Sequence, residues 1–170
     1  MSTVMKPEIA LVIATYNRSA ALSRLLTNIE SQALPKEQWE VIVGVDGSKD
    51  DTVELLKTWE ARGTIPLRWF FQENAGQSVA RHQGILRSQA DYIIIIDDDM
   101  KLAPDFIGAH LRALKAIPRN PVVIGKVLPQ DGWERKPLYE AVREKQMIEQ
   151  QAVLAAARFP PTATAFVTQN

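Results

Sequence analysis

The chain contains no cysteine. Disulfides, Cys-ligated zinc, iron–sulfur clusters and thiol nucleophiles are therefore excluded. Histidine is scarce too: His82 and His110 are the only two, too few for a multi-histidine metal site. Net charge is missing, since Lys plus Arg number 20 and Asp plus Glu number 20. A balanced chain lacks the global positive field that non-specific nucleic-acid and anionic-membrane binders use. Long apolar runs are absent. The longest, around Ile9–Ala14 and Tyr92–Ile96, fall far below the roughly 20 residues of a membrane span. Acidic Glu8 precedes the first run, and no small-residue cleavage site follows it, which argues against a signal peptide. The expectation is a cytoplasmic chain without an integral membrane segment. Membrane association, if any, would be peripheral and through regions outside this sequence. No Gly-x-Gly-x-x-Gly, Gly-Lys-Ser/Thr or Gly-x-Ser-x-Gly motif occurs. A bound phosphate would thus be held by a metal and side chains, not by a glycine cradle.

What is there reads as one globular domain. The chain has 170 residues, 46% of them hydrophobic and 24% charged, and domains run to about 100–200 residues. Short apolar runs alternate with amphipathic ones. Strands are predicted at Ile9–Thr15, Trp39–Asp46, Leu67–Gln72, Tyr92–Ile96 and Pro121–Lys126, from β-branched content and short uniform runs. Helices are predicted at Ser19–Gln32 with Ser19 as N-cap, from Asp50 or Asp51 through Ala61 with Gly63 as stop, and at Gly76–Ser88. Another begins near Pro104 and runs to Ala116, and a long one covers Pro137–Ala157; Thr162–Thr168 resumes a β-like pattern. This alternation predicts an α/β sandwich with a mostly parallel sheet. The run Ile93–Ile96 lacks polar alternation, as in a central strand covered on both faces. The chain stops at Asn170 inside what reads as an element, so the expectation is the first part of a longer protein.

In an open parallel sheet, ligands bind beyond the carboxyl ends of the strands. Those ends carry Thr15-Tyr16-Asn17-Arg18, Asp46-Gly47-Ser48, Asn74-Ala75-Gly76-Gln77 and Asp97-Asp98-Asp99. In extended backbone, Asp97 and Asp99 share a face. Two like charges about 4 Å apart repel by roughly 4 kcal/mol near a surface. A magnesium or manganese ion would offset that repulsion; the alternative is a turn cap beside solvated acids. Asp46 can accept hydrogen bonds from a base or ribose, or be an ordinary Asp-Gly-Ser turn residue. Arg81, four residues after Gln77, can reach a diphosphate or stay solvated. His82, His110, Trp39, Trp59 and Trp69 read as packing or surface residues.

These motifs, in this order, resemble the nucleotide-binding half of a family 2 glycosyltransferase with the GT-A fold. The resemblance runs from Pro7 to Ile117. It implies a nucleotide-diphospho-sugar donor, most often a UDP-sugar, bound with Mn²⁺ or Mg²⁺. By residue match, Asp99 would ligate the metal. Asp97 or Asp98 would contact ribose or the metal's waters, with Asp97 a second metal-ligand candidate. Asp46 would recognise the base. Thr15, Tyr16 and Asn17 would form the loop under the nucleotide, with Asn74, Gly76 and Arg81 beside it. The chemistry implied is inverting transfer to a hydroxyl of a saccharide, lipid or protein. The family's acidic base motif has no match before Asn170, so the general base is expected beyond it and the 170-residue chain alone should transfer poorly. Residues 1–126 would then be the donor-binding core of a single domain, and 127–170 the start of an acceptor-side region. The rival expectation is a non-catalytic nucleotide-binding or interaction module using Pro137–Ala157 as partner helix, marked by stable homodimers. A third is a phosphohydrolase with Asp97 as nucleophile.

Overall fold

A computed structural model of the protein describes residues 6–118, 121–125, 145–146 and 148–149. The chain divides into two compact units, Met1–Lys115 and Ala116–Asn170. The first opens with β1 (Ile9–Thr15), α1 (Ser19–Glu30), a 3₁₀ turn (Lys36–Gln38) and β2 (Trp39–Asp46). It continues through α2 (Thr52–Arg62), β3 (Leu67–Gln72), α3 (Gln77–Arg87), β4 (Tyr92–Asp97) and α4 (Phe106–Ala116). The strand order is β3-β2-β1-β4, and every pair is parallel. The α/β layering read from the alternation is therefore the observed architecture.

The core lies around β1 and β2, in which every residue is buried. Successive strand side chains point to opposite faces, so both faces of these strands are covered. On one face sits α3. A Cβ built on Gly84 would lie 2.6 Å from Val12 Cγ1 and 3.8 Å from Ile42 Cγ2. The other face carries Trp69, whose Nε1 donates to Glu60 of α2 at 3.1 Å. Leu22, Leu25, Leu26 and Ile29 of α1 are fully buried, at the helical spacing the sequence shows. Because Gly84 has no room for a methyl group, Gly84→Ala should cost about 1–3 kcal/mol through overpacking. Urea denaturation checks this; an unchanged midpoint would mean that α3 can slide without penalty.

Element ends differ from expectation for local reasons. Ser19 is the first residue of α1 rather than its cap, and Arg18 holds the cap position without a side-chain capping bond to the helix. The Ser19 amide instead donates to Asp50 at 3.0 Å. α1 ends at Glu30, and Gln32 leaves the helix line to donate to Ala103 O and accept from Ile107 N–H. Gly63, at φ 60°, closes α2 in the left-handed conformation, as read. Gly76 flanks α3 instead of starting it. Pro104 stands two residues ahead of α4.

The largest fold difference concerns β4. It stands at an edge of the described sheet. Ile94 and Ile96 are buried, but Ile95 is 39% exposed. An apolar run reports that a strand is hydrophobic, not which neighbours it has. In the second unit, residues 121–125 form no strand, although Pro121–Lys126 was expected to; Lys126 lies outside the described residues. Residues 145–146 and 148–149 are helical, within the expected Pro137–Ala157 helix. The rest of that helix and Thr162–Thr168 lie outside the described residues.

Asp50 ties the starts of two helices together. Its carboxylate accepts from the Thr52 hydroxyl at 2.5 Å, from the Thr52 amide at 3.2 Å and from the Ser19 amide at 3.0 Å. Partial burial pushes its pKa up, but the bonds from Thr52 and Ser19 outweigh this and hold it below 3.8. A depressed carboxyl pKa stabilises above the unfolded value and loses that contribution as pH falls through the folded one. Asp50 is exposed and solvent screens its contribution, so Asp50→Ala should cost only about 0.5–1 kcal/mol at neutral pH, the lower end of what a lost helix-end hydrogen bond costs. The difference from the parent should shrink in acid. Denaturation midpoints at the two pH values check this, and coincident midpoints at neutral pH would refute it.

Candidate functional site

Parallel pairing places the four strand ends along one edge. The register sets Ala14 beside Asp97, Thr15 beside Val45 and Asp46 beside Gln72. The expected rim thus assembles from chain segments far apart in sequence. The loop after β1 is pinned to the loop after β2. Asn17, at φ 52°, donates its amide to Ser48 Oγ at 2.9 Å and accepts from the Lys49 amide at 2.7 Å. Asn is one of the few residues that tolerate this left-handed conformation. Tyr16 projects from the same loop, 45% exposed.

Burial alternates through the acidic triplet. Asp98 is buried, while Asp97 is half-buried and Asp99 exposed; the strand ends at Asp97 and residues 98–99 form a turn, so the extended backbone that would set Asp97 and Asp99 on one face does not continue through the triplet. Asp98 Oδ2 accepts from the Thr15 hydroxyl at 2.7 Å, and its Oδ1 from Arg18 Nη1 at 2.9 Å. Arg18 Nη2 also reaches Asp99 Oδ2 at 3.0 Å. Arg81 pairs with Asp97 Oδ1. The repulsion inferred from the sequence is therefore met first by two arginines. Burial pushes the Asp98 carboxyl up; the Thr15 bond and Arg18 oppose this, and Asp99 and Asp97 add to the rise. Its neighbours hold the Arg18 guanidinium charged, with Asp98 the main influence.

On the other side of β1, Asp46 is buried at 3% exposure. Its Oδ1 accepts from Gln72 Nε2 at 2.7 Å and from the Ala75 amide at 2.8 Å; its Oδ2 accepts from the Gly76 amide at 2.9 Å. Asn74 Nδ2 donates to the Asp46 carbonyl at 3.1 Å. Asn74 and Gly76 thus reach the rim as expected, held there by Asp46. Four carboxylates, Asp46, Asp97, Asp98 and Asp99, stand among two guanidinium groups, Arg18 and Arg81. The formal excess is two negative charges.

Two residues of this edge were not singled out as binding candidates. Arg18 follows Asn17 directly, but nothing local tells that it reaches carboxylates 80 and 81 positions away. Gln72 could have been found, because it is the last residue of β3. The residues read as packing behave so. Trp39 is buried and donates to Leu34 O at 2.9 Å, Trp59 is buried, and His110 packs against Phe106 with ring centroids 4.3 Å apart and the planes tilted by 45°. His82 is exposed on α3.

Which chemistry the rim could perform follows from its charges. Among the described residues, no three His, Cys, Asp or Glu side chains gather as a group that could hold a metal ion by themselves. Asp99 nevertheless remains 45% exposed, with Arg18 engaging one of its oxygens. A hard cation commonly binds through one or two carboxylates and completes its shell with water and substrate phosphates. An open acidic edge of this kind fits such a cation.

Comparison with known proteins bears on the fold as a whole. Residues 10–166 match the family described as Glycosyl transferase family 2. Validoxylamine A glucosyltransferase of Streptomyces hygroscopicus subsp. jinggangensis is 32% identical over 121 residues, covering 70% of this chain and 28% of the relative. Undecaprenyl-phosphate 4-deoxy-4-formamido-L-arabinose transferase of Pseudomonas aeruginosa is 28% identical over 134 residues, covering 76% of this chain and 39% of the relative. The chain therefore spans well under half the length of these relatives. Among solved structures, the mannosyltransferase PcManGT from Pyrobaculum calidifontis, in complex with GDP-Man and Mn²⁺, superposes with a TM-score of 0.62 at 25% identity. That match covers 66% of this chain and 33% of the other. S. aureus TarS 1-349 in complex with UDP-GlcNAc gives a TM-score of 0.62 at 19% identity, over 75% of this chain and 38% of the other.

Proposed function

We propose, from the premise that this chain belongs to glycosyl transferase family 2 and has the GT-A fold, that it is the donor-binding part of an inverting, metal-dependent glycosyltransferase. The donor would be a nucleotide-diphospho-sugar, with UDP the first base to test, and the acceptor a hydroxyl group. The observation that carries this reading is the acidic edge: an excess of two negative charges with Asp99 facing outward. A bare diphosphate would be repelled there, so a divalent cation is needed to bring the two together. Under this reading Asp99 holds Mn²⁺ or Mg²⁺, with Asp97 the second candidate ligand.

Each remaining role follows from position. When bound, such a cation stabilises charge growing on the departing diphosphate. Asp98 stays inward and holds Thr15 and Arg18 in place. Tyr16 offers an exposed ring beside the strand ends, and Asn17 braces the loop that carries it. Arg81 Nε is buried without a hydrogen-bond partner, an unused donor suited to a phosphate or ribose oxygen. The relative named for glucosyl transfer and the structure containing GDP-Man and Mn²⁺ support the donor class and leave base and sugar open.

Titration calorimetry with UDP and with GDP, each with and without Mn²⁺, tests the reading. Binding that requires the cation is expected for at least one nucleotide. Absence of binding under all four conditions would overturn it.

A further inference from the structure

The two terminal nitrogens of Arg18 make unequal contacts. Nη1 donates to Asp98 Oδ1 at 2.9 Å, and Nη2 donates to Asp99 Oδ2 at 3.0 Å. Asp98 is buried and also accepts from the Thr15 hydroxyl. Removing its guanidinium would leave a buried charge without its ionic partner, which is strongly destabilising. Asp99 is half-exposed, as is Arg18 itself, and an ion pair open to water on both sides is worth little. One side chain is thus firmly held by one carboxylate and loosely by the next. The remaining ion pair of the triplet, Arg81 with Asp97, is more enclosed than Arg18 with Asp99.

The loose contact falls on the carboxylate that holds the cation in the reading above. An arginine fork and a divalent cation answer the same need, the repulsion among neighbouring carboxylates. Asp99 has a second oxygen, but a cation placed there would still stand beside a guanidinium charge and be repelled by it. The contact that yields at least cost is therefore Arg18 Nη2 with Asp99.

We infer that Arg18 is the resident counter-cation of the triplet: it neutralises Asp99 while no metal is bound, and it gives up Asp99, but not Asp98, to a divalent cation. The inference rests on the metal-dependent reading and adds what sets the cation's affinity. Arg18 weakens that affinity by the worth of the contact it must lose, and its hold on Asp98 keeps the edge in shape throughout.

Mn²⁺ binding in the absence of nucleotide tests this, read by calorimetry and by the paramagnetic resonance signal of free Mn²⁺. Arg18→Gln should bind Mn²⁺ more tightly than the parent by about twofold to fivefold, the worth of an exposed ion pair. Arg18→Lys keeps the charge but loses the two-pronged fork. With its ammonium kept by buried Asp98, it should also bind more tightly, by a smaller factor, and it carries the test if Arg18→Gln does not fold. Arg24→Gln is the charge control. Arg24 is exposed on α1 and takes no part in the triplet's ion pairs. It lies about 9 Å along the helix from Arg18, near the distance at which salt screens exposed charges, so its variant should match the parent. A second readout follows the contact itself: in ¹⁵N-labelled protein, saturating Mg²⁺ should shift the Arg18 side-chain resonance and leave that of Arg24 in place. Failure of both Arg18 variants to bind Mn²⁺ more tightly, an equal gain in Arg24→Gln, or an unmoved Arg18 resonance would each overturn the inference while the parent's cation-dependent nucleotide binding stands. If the parent binds no cation, with or without nucleotide, the metal-dependent reading fails and the inference falls with it.

Discussion

Asp99→Ala should lower nucleotide affinity in the presence of Mn²⁺ by at least about tenfold, equivalent to ~1.4 kcal/mol. Asp99 is the exposed member of the triplet, and Arg18 occupies one of its oxygens. Removing it takes away the carboxylate best placed to hold a cation. It leaves the buried Asp98 bonded to Thr15 and Arg18, so the sheet edge should keep its shape. The sign should reverse when the cation is chelated. Without Mn²⁺, Asp99 only repels a diphosphate, so the variant should bind no worse than the parent and gain slightly at low salt. Calorimetry in manganese and in chelator gives both numbers. An equal loss in the two conditions would show that Asp99 works by shape rather than through a cation, and an unchanged affinity in manganese would remove it from the site.

Leu11→Ala should destabilise the fold by about 2–5 kcal/mol, a large share of the roughly 5–15 kcal/mol that holds a domain together. Leu11 is fully buried on β1, paired with Val41 on one side and Ile94 on the other. Its removal leaves a cavity in the strand that both neighbours need. Leu86→Ala is the matched control. Leu86 sits on α3 at 65% exposure, and its loss should stay within about 0.5 kcal/mol. Urea denaturation with equal m-values reads both. Similar midpoints for the two variants would mean that the centre of the sheet does not carry the stability assigned to it.

Much of the fold was legible because its signals are local. Runs such as Ile9–Thr15 and Trp39–Asp46 announce buried strands by composition alone, and both are strands with every residue buried. Leu22, Leu25, Leu26 and Ile29 repeat at helical spacing and are buried together. Helix ends were less legible, because capping depends on partners elsewhere. Ser19 looks like a cap in sequence, yet its amide is claimed by Asp50, 31 residues away.

The site divides in the same way. Strand ends can be read from strand content, and in a parallel sheet they must gather on one edge, so the sequence alone groups Thr15, Asp46, Asn74 and the Asp97–Asp99 triplet. Partner choice could not. That Arg18 bridges Asp98 and Asp99, that Arg81 takes Asp97, and that Asp46 spends its oxygens on Gln72, Ala75 and Gly76 are facts of packing. The sequence by itself determined which side chains stand at the carboxyl ends, since hydrophobic periodicity is a short-range property of the chain. Only the tertiary structure decided that β4 lies at an edge of the described sheet and which cation meets which acid. Those outcomes depend on distances between segments up to 83 residues apart, and the folded sheet alone sets those distances.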